Sequence, residues 1–448
     1  MSERRFEGTL TAADSKRHLE HPFEVASGAT RLEFKLTFEP ELVAGIGNML
    51  TLSLFDPAGS RGAGHRGGAN HLVVITTGDA TPGYTPGPIP PGLWLAVVDT
   101  HLIMPGPPCR YELEAAAFAE LGAEPATKPA PVAAGRPGRG PGWYRGDLHG
   151  HSVHSDGAWD VGDLVASARF YGLDFVTLSD HNTVSGLAQI DQLGADDILT
   201  MGGAELTTFW GHALALGGRD WVDWRVRPGR RTMPQIAAEV IAADGLFIIA
   251  HPKSPGDPQC TGCDWRYTDM MPGNAPVVEV WNGPWSGASN NEQALALWYS
   301  WLEEGLRVRA SAGTDIHQPA PPSERLGFNV VYAAELGEPA ILDAVARGHN
   351  FLSSGPRLEL TAQTLKGSTA MMGDVLPIEE SEVTVAWSAS VGDRLRLVVD
   401  GRPDDEVTLE PVGKRSWHFG PRMARSCLVE LRSAGGELLA LTNPIFWG

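Results

Sequence analysis

With 448 residues, 42% of them hydrophobic and 20% charged, the chain is long enough for two or three domains and can bury ample core, which excludes a disordered chain or a small disulfide-stapled one. Acidic residues outnumber basic ones by 54 to 35, a formal charge of −19, so the surface as a whole repels a phosphate backbone and no nucleic acid polymer is expected as partner. No apolar run is long enough to span a membrane, and Met1 to Gly8 lacks the apolar stretch of a secretory signal, so a cytoplasmic protein free of membranes is expected.

Residues 1–122 alternate apolar and polar side chains in short segments, such as Leu32 to Phe38, Leu50 to Phe55 and Trp94 to Val98, separated by Gly/Pro clusters. A period of two marks strands with one wet face, which predicts an N-terminal β-sandwich. Residues 123–142, rich in Pro, Ala and Gly, cannot pack a core and read as a linker.

From residue 143 to 356 short apolar runs alternate with helical patterns. Gly172 to Leu178, Gly245 to Ala250 and Pro276 to Trp281 read as buried strands, and the stripe Ala294, Leu295, Trp298, Trp301 and Leu302 predicts a helix over about Asn291 to Glu304. Such alternation predicts a parallel α/β sheet closed into a barrel. Strand patterns return over Glu382 to Trp387 and Leu395 to Gly401, so residues 357–448 are expected to form a smaller C-terminal β domain.

Cys109, Cys260, Cys263 and Cys427 are too few for a disulfide scaffold. Cys260-Thr261-Gly262-Cys263 has the C-x-x-C spacing, but no second pair completes a zinc site and no helix start follows. It reads as a pair of loop thiols.

Histidine placement carries the functional signal. Seven of the 14 histidines (His149, His151, His154, His181, His212, His251 and His317) lie between Trp143 and His317, nearly all at the downstream end of a predicted strand. His149 and His151, two apart on one strand, face the same way and can reach one metal ion. Asp180-His181, Glu205, His251 and Asp315-Ile316-His317 fall at further strand ends. Imidazoles and carboxylates converging on one mouth need protons or divalent cations to offset their burial, and such cations would also make a small anionic substrate acceptable.

Asp147-Leu148-His149-Gly150-His151-Ser152 with Ser155-Asp156-Gly157, and Ser179-Asp180-His181-Asn182-Thr183-Val184-Ser185-Gly186, resemble the motifs of the polymerase and histidinol phosphatase (PHP) superfamily of metal-dependent hydrolases, over roughly Tyr144 to Pro356. The flanking β segments and Val278-Glu279-Val280-Trp281-Asn282-Gly283 look most like its CehA/McbA branch. The resemblance implies a distorted (β/α)7 TIM-like barrel holding two or three divalent ions of zinc, manganese or iron. By position, His149, His151, Glu205 and Asp315 would hold one ion, with Glu205 bridging to a second held by His251 and His212. Asp156, His181 and His317 would hold a third, where some relatives place histidine at the position of Asp156.

Asp147 and Asp180 are expected to orient ligating imidazoles, His154 to sit on the rim, Lys253 and Arg145 to meet a substrate anion, and Trp210, Trp281, Asn282 and Trp285 to wall the pocket. Paired divalent ions lower the pKa of a shared water and so supply a bridging hydroxide as nucleophile. Asp315, His251 and Lys253 are the expected catalytic residues. The first expectation is hydrolysis of small-molecule phosphate mono- or diesters. The alternatives are carbamate or carboxyl-ester hydrolysis at the same site, and a non-catalytic metal-binding or structural module.

Overall fold

The computed structural model describes residues 2–119, 139–321 and 324–448. Residues 120–138, which include most of the expected linker, lie outside it; Gly142 already opens a strand.

Ahead of that stretch stand two four-stranded antiparallel sheets. One has the order Ser2–Leu10, Cys109–Phe118, Arg31–Glu39, Asn70–Thr76, and the other Arg17–Val25, Gly92–Leu102, Met49–Asp56, Gly59–Gly64. Alternation does what the sequence foretells: Leu32, Phe34, Leu36 and Phe38 turn inward and join Phe23, Leu52 and Trp94 in one core shared by both sheets.

The large sheet begins with β1 (Gly142–Asp147) and continues in chain order with α1 (Val161–Phe170), β2 (Phe175–Leu178), β3 (Leu199–Thr208), β4 (Gly211–Leu216), α2 (Met233–Ala242), β5 (Leu246–Ile249), β6 (Val277–Asn282), α3 (Asn291–Glu303), β7 (Arg309–Gly313), β8 (Phe328–Ala333), α4 (Glu338–Arg347) and β9 (Asn350–Ser353). Spatially the strands follow β7-β6-β5-β4-β3-β2-β1-β8-β9. β1, β2 and β3 are parallel neighbours, as are β5, β6 and β7, and β4 runs antiparallel between the two sets. The segments that follow β1 and β7 also meet: Asp315 N–H donates to His149 O at 2.9 Å and His151 N–H to Ile316 O at 3.0 Å.

Strand and helix alternate only in part. β3 returns directly into β4 through Phe209 and Trp210, because an antiparallel neighbour needs only a tight turn where a parallel one needs a crossover. Among the described residues α1, α2, α3 and α4 are the helices of ten residues or more. α3 starts where the apolar stripe predicted it, with Trp298 fully buried and its Nε1 donating to Val308 O at 2.9 Å. α4 ends at Gly348, whose φ of 81° closes the helix in the left-handed region.

Beyond β9 the sheet does not stop. β9 pairs with Leu438–Thr442, and Ser426–Arg432, Arg394–Val399 and Arg402–Thr408 follow on. A four-stranded sheet, Thr369–Met371, Arg357–Thr364, Ser381–Ser388 and Val412–Phe419, packs with these strands around Leu358, Val383, Leu397 and Val429. No helix among the described residues is long and apolar enough to cross a membrane.

Candidate metal centre

The strand order sets the site. β1, β2, β3, β5, β6 and β7 deliver their side chains from their downstream ends. β4 runs the other way, so His212, near its start and paired in register with Thr207, reaches the same end. Non-glycine residues in the left-handed region mark these strand ends: Asn182 at φ 59°, His251 at 26° and Asp315 at 53°. Such conformations cost about 1–3 kcal/mol each and persist where the surroundings over-determine them.

Glu205, fully buried, lies at the centre. Its Oε2 is 3.1 Å from His149 Nε2, 3.3 Å from His151 Nε2 and 3.0 Å from His181 Nδ1, while its Oε1 is 3.0 Å from both His212 Nδ1 and His251 Nε2. Asp315 Oδ1 lies 2.9 Å from His151 Nε2 and 3.4 Å from His149 Nε2. Towards the open side, Asp156 Oδ1 is 3.2 Å from His317 Nε2 and 3.5 Å from His181 Nε2. Four groups therefore offer ligand atoms within 4.8 Å of one another: His149, His151, Glu205, Asp315; His151, Asp156, His181, His317; His181, Glu205, His212; and His212, His251, Cys263.

Charge in this cluster is unevenly shared. Burial disfavours ionisation of Glu205 and Asp315, but the imidazoles around them hold both carboxyls well below the usual carboxylate range. Burial also opposes protonation of His149, yet Asp315, Glu279 and Glu205 raise it well above the ordinary histidine value. His317 is lifted to about 10 against its own burial by Asp156 and Asp315. Burial keeps His212 below its ordinary value.

No protein-family model matches the chain. A stretch of 72 residues is 40% identical to the error-prone DNA polymerase of Symbiobacterium thermophilum; it makes up 15% of this chain, and the chain spans only 7% of that polymerase's length. Among solved structures, the chain is similar to a two-domain protein from Bacteroides vulgatus that contains a predicted PHP-like metal-dependent phosphoesterase, at 18% identity over 71% of this chain and 99% of that one, TM-score 0.39. It is also similar to an amidohydrolase from Chromobacterium violaceum, at 18% identity over 39% of this chain and 88% of that one, TM-score 0.29.

The donor set fits divalent cations. His151 Nδ1 and His251 Nδ1 are buried without a hydrogen bond, and His151 Nε2 and Asp315 Oδ1 face each other at 2.9 Å, an arrangement that costs free energy unless a cation takes the lone pairs. His212 shows the same from its tautomer. Its Nε2 donates to Thr261 O at 3.0 Å, which leaves a lone pair on Nδ1 facing the Glu205 carboxylate.

The other residues singled out in the sequence divide. Asp147 and Asp180 touch no ligating imidazole: Asp147 accepts from Thr314 and from His149 N–H, and Asp180 from Ser152 N–H, Ser152 Oγ and Ser155 Oγ, so both pin strand-end backbone instead. His154 sits on the rim, 2.8 Å from Ser185 Oγ. Arg145 is drawn away to Tyr171 O and stacks 4.4 Å over the Phe328 ring. Lys253 follows His251 and Pro252, and its ammonium forms no ion pair among the described residues. Trp281 and Trp285 are buried core packed on each other, not pocket wall, while Trp210 is half-buried. Cys260 and Cys263 are joined in a disulfide, not free thiols.

Three residues escaped sequence reasoning. Glu279 Oε1 lies 3.0 Å from His149 Nδ1, and its Oε2 accepts from His251 N–H and Asn282 Nδ2, each at 3.0 Å. A carboxylate inside the apolar run of β6 was the available signal. His65, just past the strand Gly59–Gly64, places its ring 4.6 Å from that of His181, and burial lowers its pKa to about 3; nothing local in the sequence foretold it. The third is Cys263, 4.0 Å from His212 Nδ1.

Proposed function

We propose that this chain is a metal-dependent hydrolase of small-molecule phosphate mono- or diesters. The proposal takes β1 to β7 as a distorted TIM-like barrel of PHP type within residues 143–356, flanked by β-sandwich-like units over 1–122 and 357–448. The observation that carries it is the Glu205 carboxylate, whose two oxygens face separate sets of imidazoles, with His151 Nδ1 and His251 Nδ1 buried beside them and without a hydrogen bond.

His149, His151, Glu205 and Asp315 would hold one divalent cation, Glu205, His212 and His251 a second, and Asp156, His181 and His317 a third. When bound, such ions supply Lewis acidity towards a phosphoryl oxygen and lower the pKa of water towards neutrality. Glu279 and Thr261 fix the tautomers of His149 and His212. Asn282 Nδ2, 3.3 Å from Asp315 Oδ2, steadies an Asp315 side chain that is 23% exposed and so would face the attacking water. Lys253 supplies a cation for the substrate phosphate. With Trp281 and Trp285 taken into the core, the aromatic wall that an uncharged aryl carbamate needs is reduced, which favours the phosphate substrate.

The test is turnover of p-nitrophenyl phosphate, bis(p-nitrophenyl) phosphate and 1-naphthyl N-methylcarbamate by metal-loaded protein. Hydrolysis of either phosphate that a chelator abolishes is expected. Failure on both phosphates overturns the proposal, and turnover of the carbamate alone replaces it with ester hydrolysis.

A further inference from the structure

We propose that Cys263 is a ligand of the ion between Glu205, His212 and His251, and that the Cys260–Cys263 disulfide decides whether it binds. The inference rests on the hydrolase reading above and names a control over that same site.

Geometry gives the first argument. Cys263 Sγ, His212 and His251 offer ligand atoms within 4.8 Å of one another and all three residues are buried, while Glu205 Oε1 lies 3.0 Å from an imidazole nitrogen of each histidine. Imidazole, thiolate and carboxylate together suit zinc, cobalt or iron. The loop bearing the sulfur is built against the histidine. Thr261 O receives His212 Nε2, and Gly262, at φ 77°, lies so close to the hairpin that a Cβ there would stand 2.0 Å from Thr208 O and 3.2 Å from His212 Nε2. The bridges Lys253 to Asp264 and Trp265 N–H to Pro252 O tie the loop to the strand end that carries His251.

Accessibility gives the second. Cys260 is partly exposed while Cys263 is 6% exposed. A dithiol therefore attacks Cys260, the S–S bond breaks, and Cys263 leaves as a thiolate beside His212 and His251. The second thiol of the reductant then displaces Cys260, which takes up a proton, and the dithiol ends as a cyclic disulfide. Two electrons pass to the protein and one proton is left in solution if Cys263 stays a thiolate on the ion.

The two states differ in coordination. With the disulfide closed, Glu205, His212 and His251 leave a position open for water, as catalytic sites do; with it open, a thiolate fills that position, as in structural sites. Reduction should tighten metal binding and slow hydrolysis.

Cobalt(II)-loaded protein tests this without reference to activity. It is prepared oxidised with oxidised glutathione, or reduced with a phosphine, which takes the oxygen of water as it opens the bridge and leaves no chelating thiol. The reduced protein should gain thiolate-to-cobalt absorption in the near ultraviolet. Cys260→Ser should show it with no reductant, and Cys263→Ser should never show it. Because even outer contacts of a ligand change affinity by about 10–100-fold, the reduced form should hold its cobalt on the order of ten-fold more tightly against a chelator. If reduced protein and Cys260→Ser both bind cobalt without thiolate absorption, the proposal is overturned while the hydrolase reading stands. If elemental analysis finds no cobalt in either redox form, both fall together.

Discussion

Glu279 stands behind His149, with Oε1 3.0 Å from the ring's Nδ1, and so turns His149 Nε2 towards Glu205 and Asp315. Its other oxygen accepts from His251 N–H and Asn282 Nδ2, which makes one buried carboxylate the common brace of three site residues. In Glu279→Gln an amide nitrogen must face at least one of these donors. Metal affinity should fall about 10–100-fold, the usual cost of losing such a brace. Competition with a chromogenic chelator measures it, and an unchanged affinity would show that His149 needs no support from Glu279.

Gly262→Ala tests the loop that covers His212. The left-handed φ of 77° penalises any side chain, and Thr208 O stands in the way of the new methyl. Strained backbone of this kind costs about 1–3 kcal/mol, so the urea midpoint should fall accordingly. As the loop lifts, the bond from His212 Nε2 to Thr261 O weakens and metal should be lost more readily. A variant with both properties unchanged would mean that the loop packs differently in solution.

Much of this arrangement was legible because it obeys local periodicities. The inward residues of Arg31–Glu39 alternate, and the stripe from Ala294 to Leu302 repeats at helical spacing, so each announces its own structure. His149 and His151 do turn to the same two carboxylates, but from beyond the end of β1 at Asp147 and not from the strand on which their spacing was read. Glu279 announced nothing, since a strand buried on both faces gives no alternation to show which side its carboxylate takes. His65 and Cys263 reach the cluster through contacts between segments distant in the chain, His65 on His181 and Cys263 on His212, and no spacing rule covers those. The antiparallel β4 was missed as a separate strand direction because its apolar run reads alike in either sense.

His101 gives a pH dependence whose sign is fixed. It is fully buried, its Nε2 lies 3.0 Å from Thr51 Oγ1, and its Nδ1 has no hydrogen bond. Burial, helped by His65, Lys16 and His18, holds it well below the free-imidazole value of 6.5. Above pH 6.5 neither folded nor unfolded chain carries this proton and the stability is full. As the pH falls below 6.5 the unfolded chain binds the proton first, so the folded state loses stability progressively. His101→Gln has no such proton to bind. The stability advantage of the wild type over this variant should therefore shrink between about pH 7 and pH 5, as read from urea unfolding at each pH. An advantage that grew instead would place His101 in a charged, paired state.

Trp298 anchors α3 to the core that surrounds the site strands. Its side chain is fully buried with Trp281, Trp301 and Val308 in the same cluster, and its indole N–H satisfies Val308 O at 2.9 Å. Trp298→Ala opens a cavity and strands that carbonyl, which together should cost about 3–5 kcal/mol in urea unfolding. Phe170, at the end of α1, is 69% exposed and fills no such space. Phe170→Ala should stay within about 0.5 kcal/mol of the wild type, because this surface substitution removes only an exposed edge contact with Tyr171 and no hydrogen bond. Equal losses for the two variants would contradict this assignment of core and surface, whereas the unequal losses expected here tie the stability of the large sheet to the aromatic residues behind β6 and not to those at its rim.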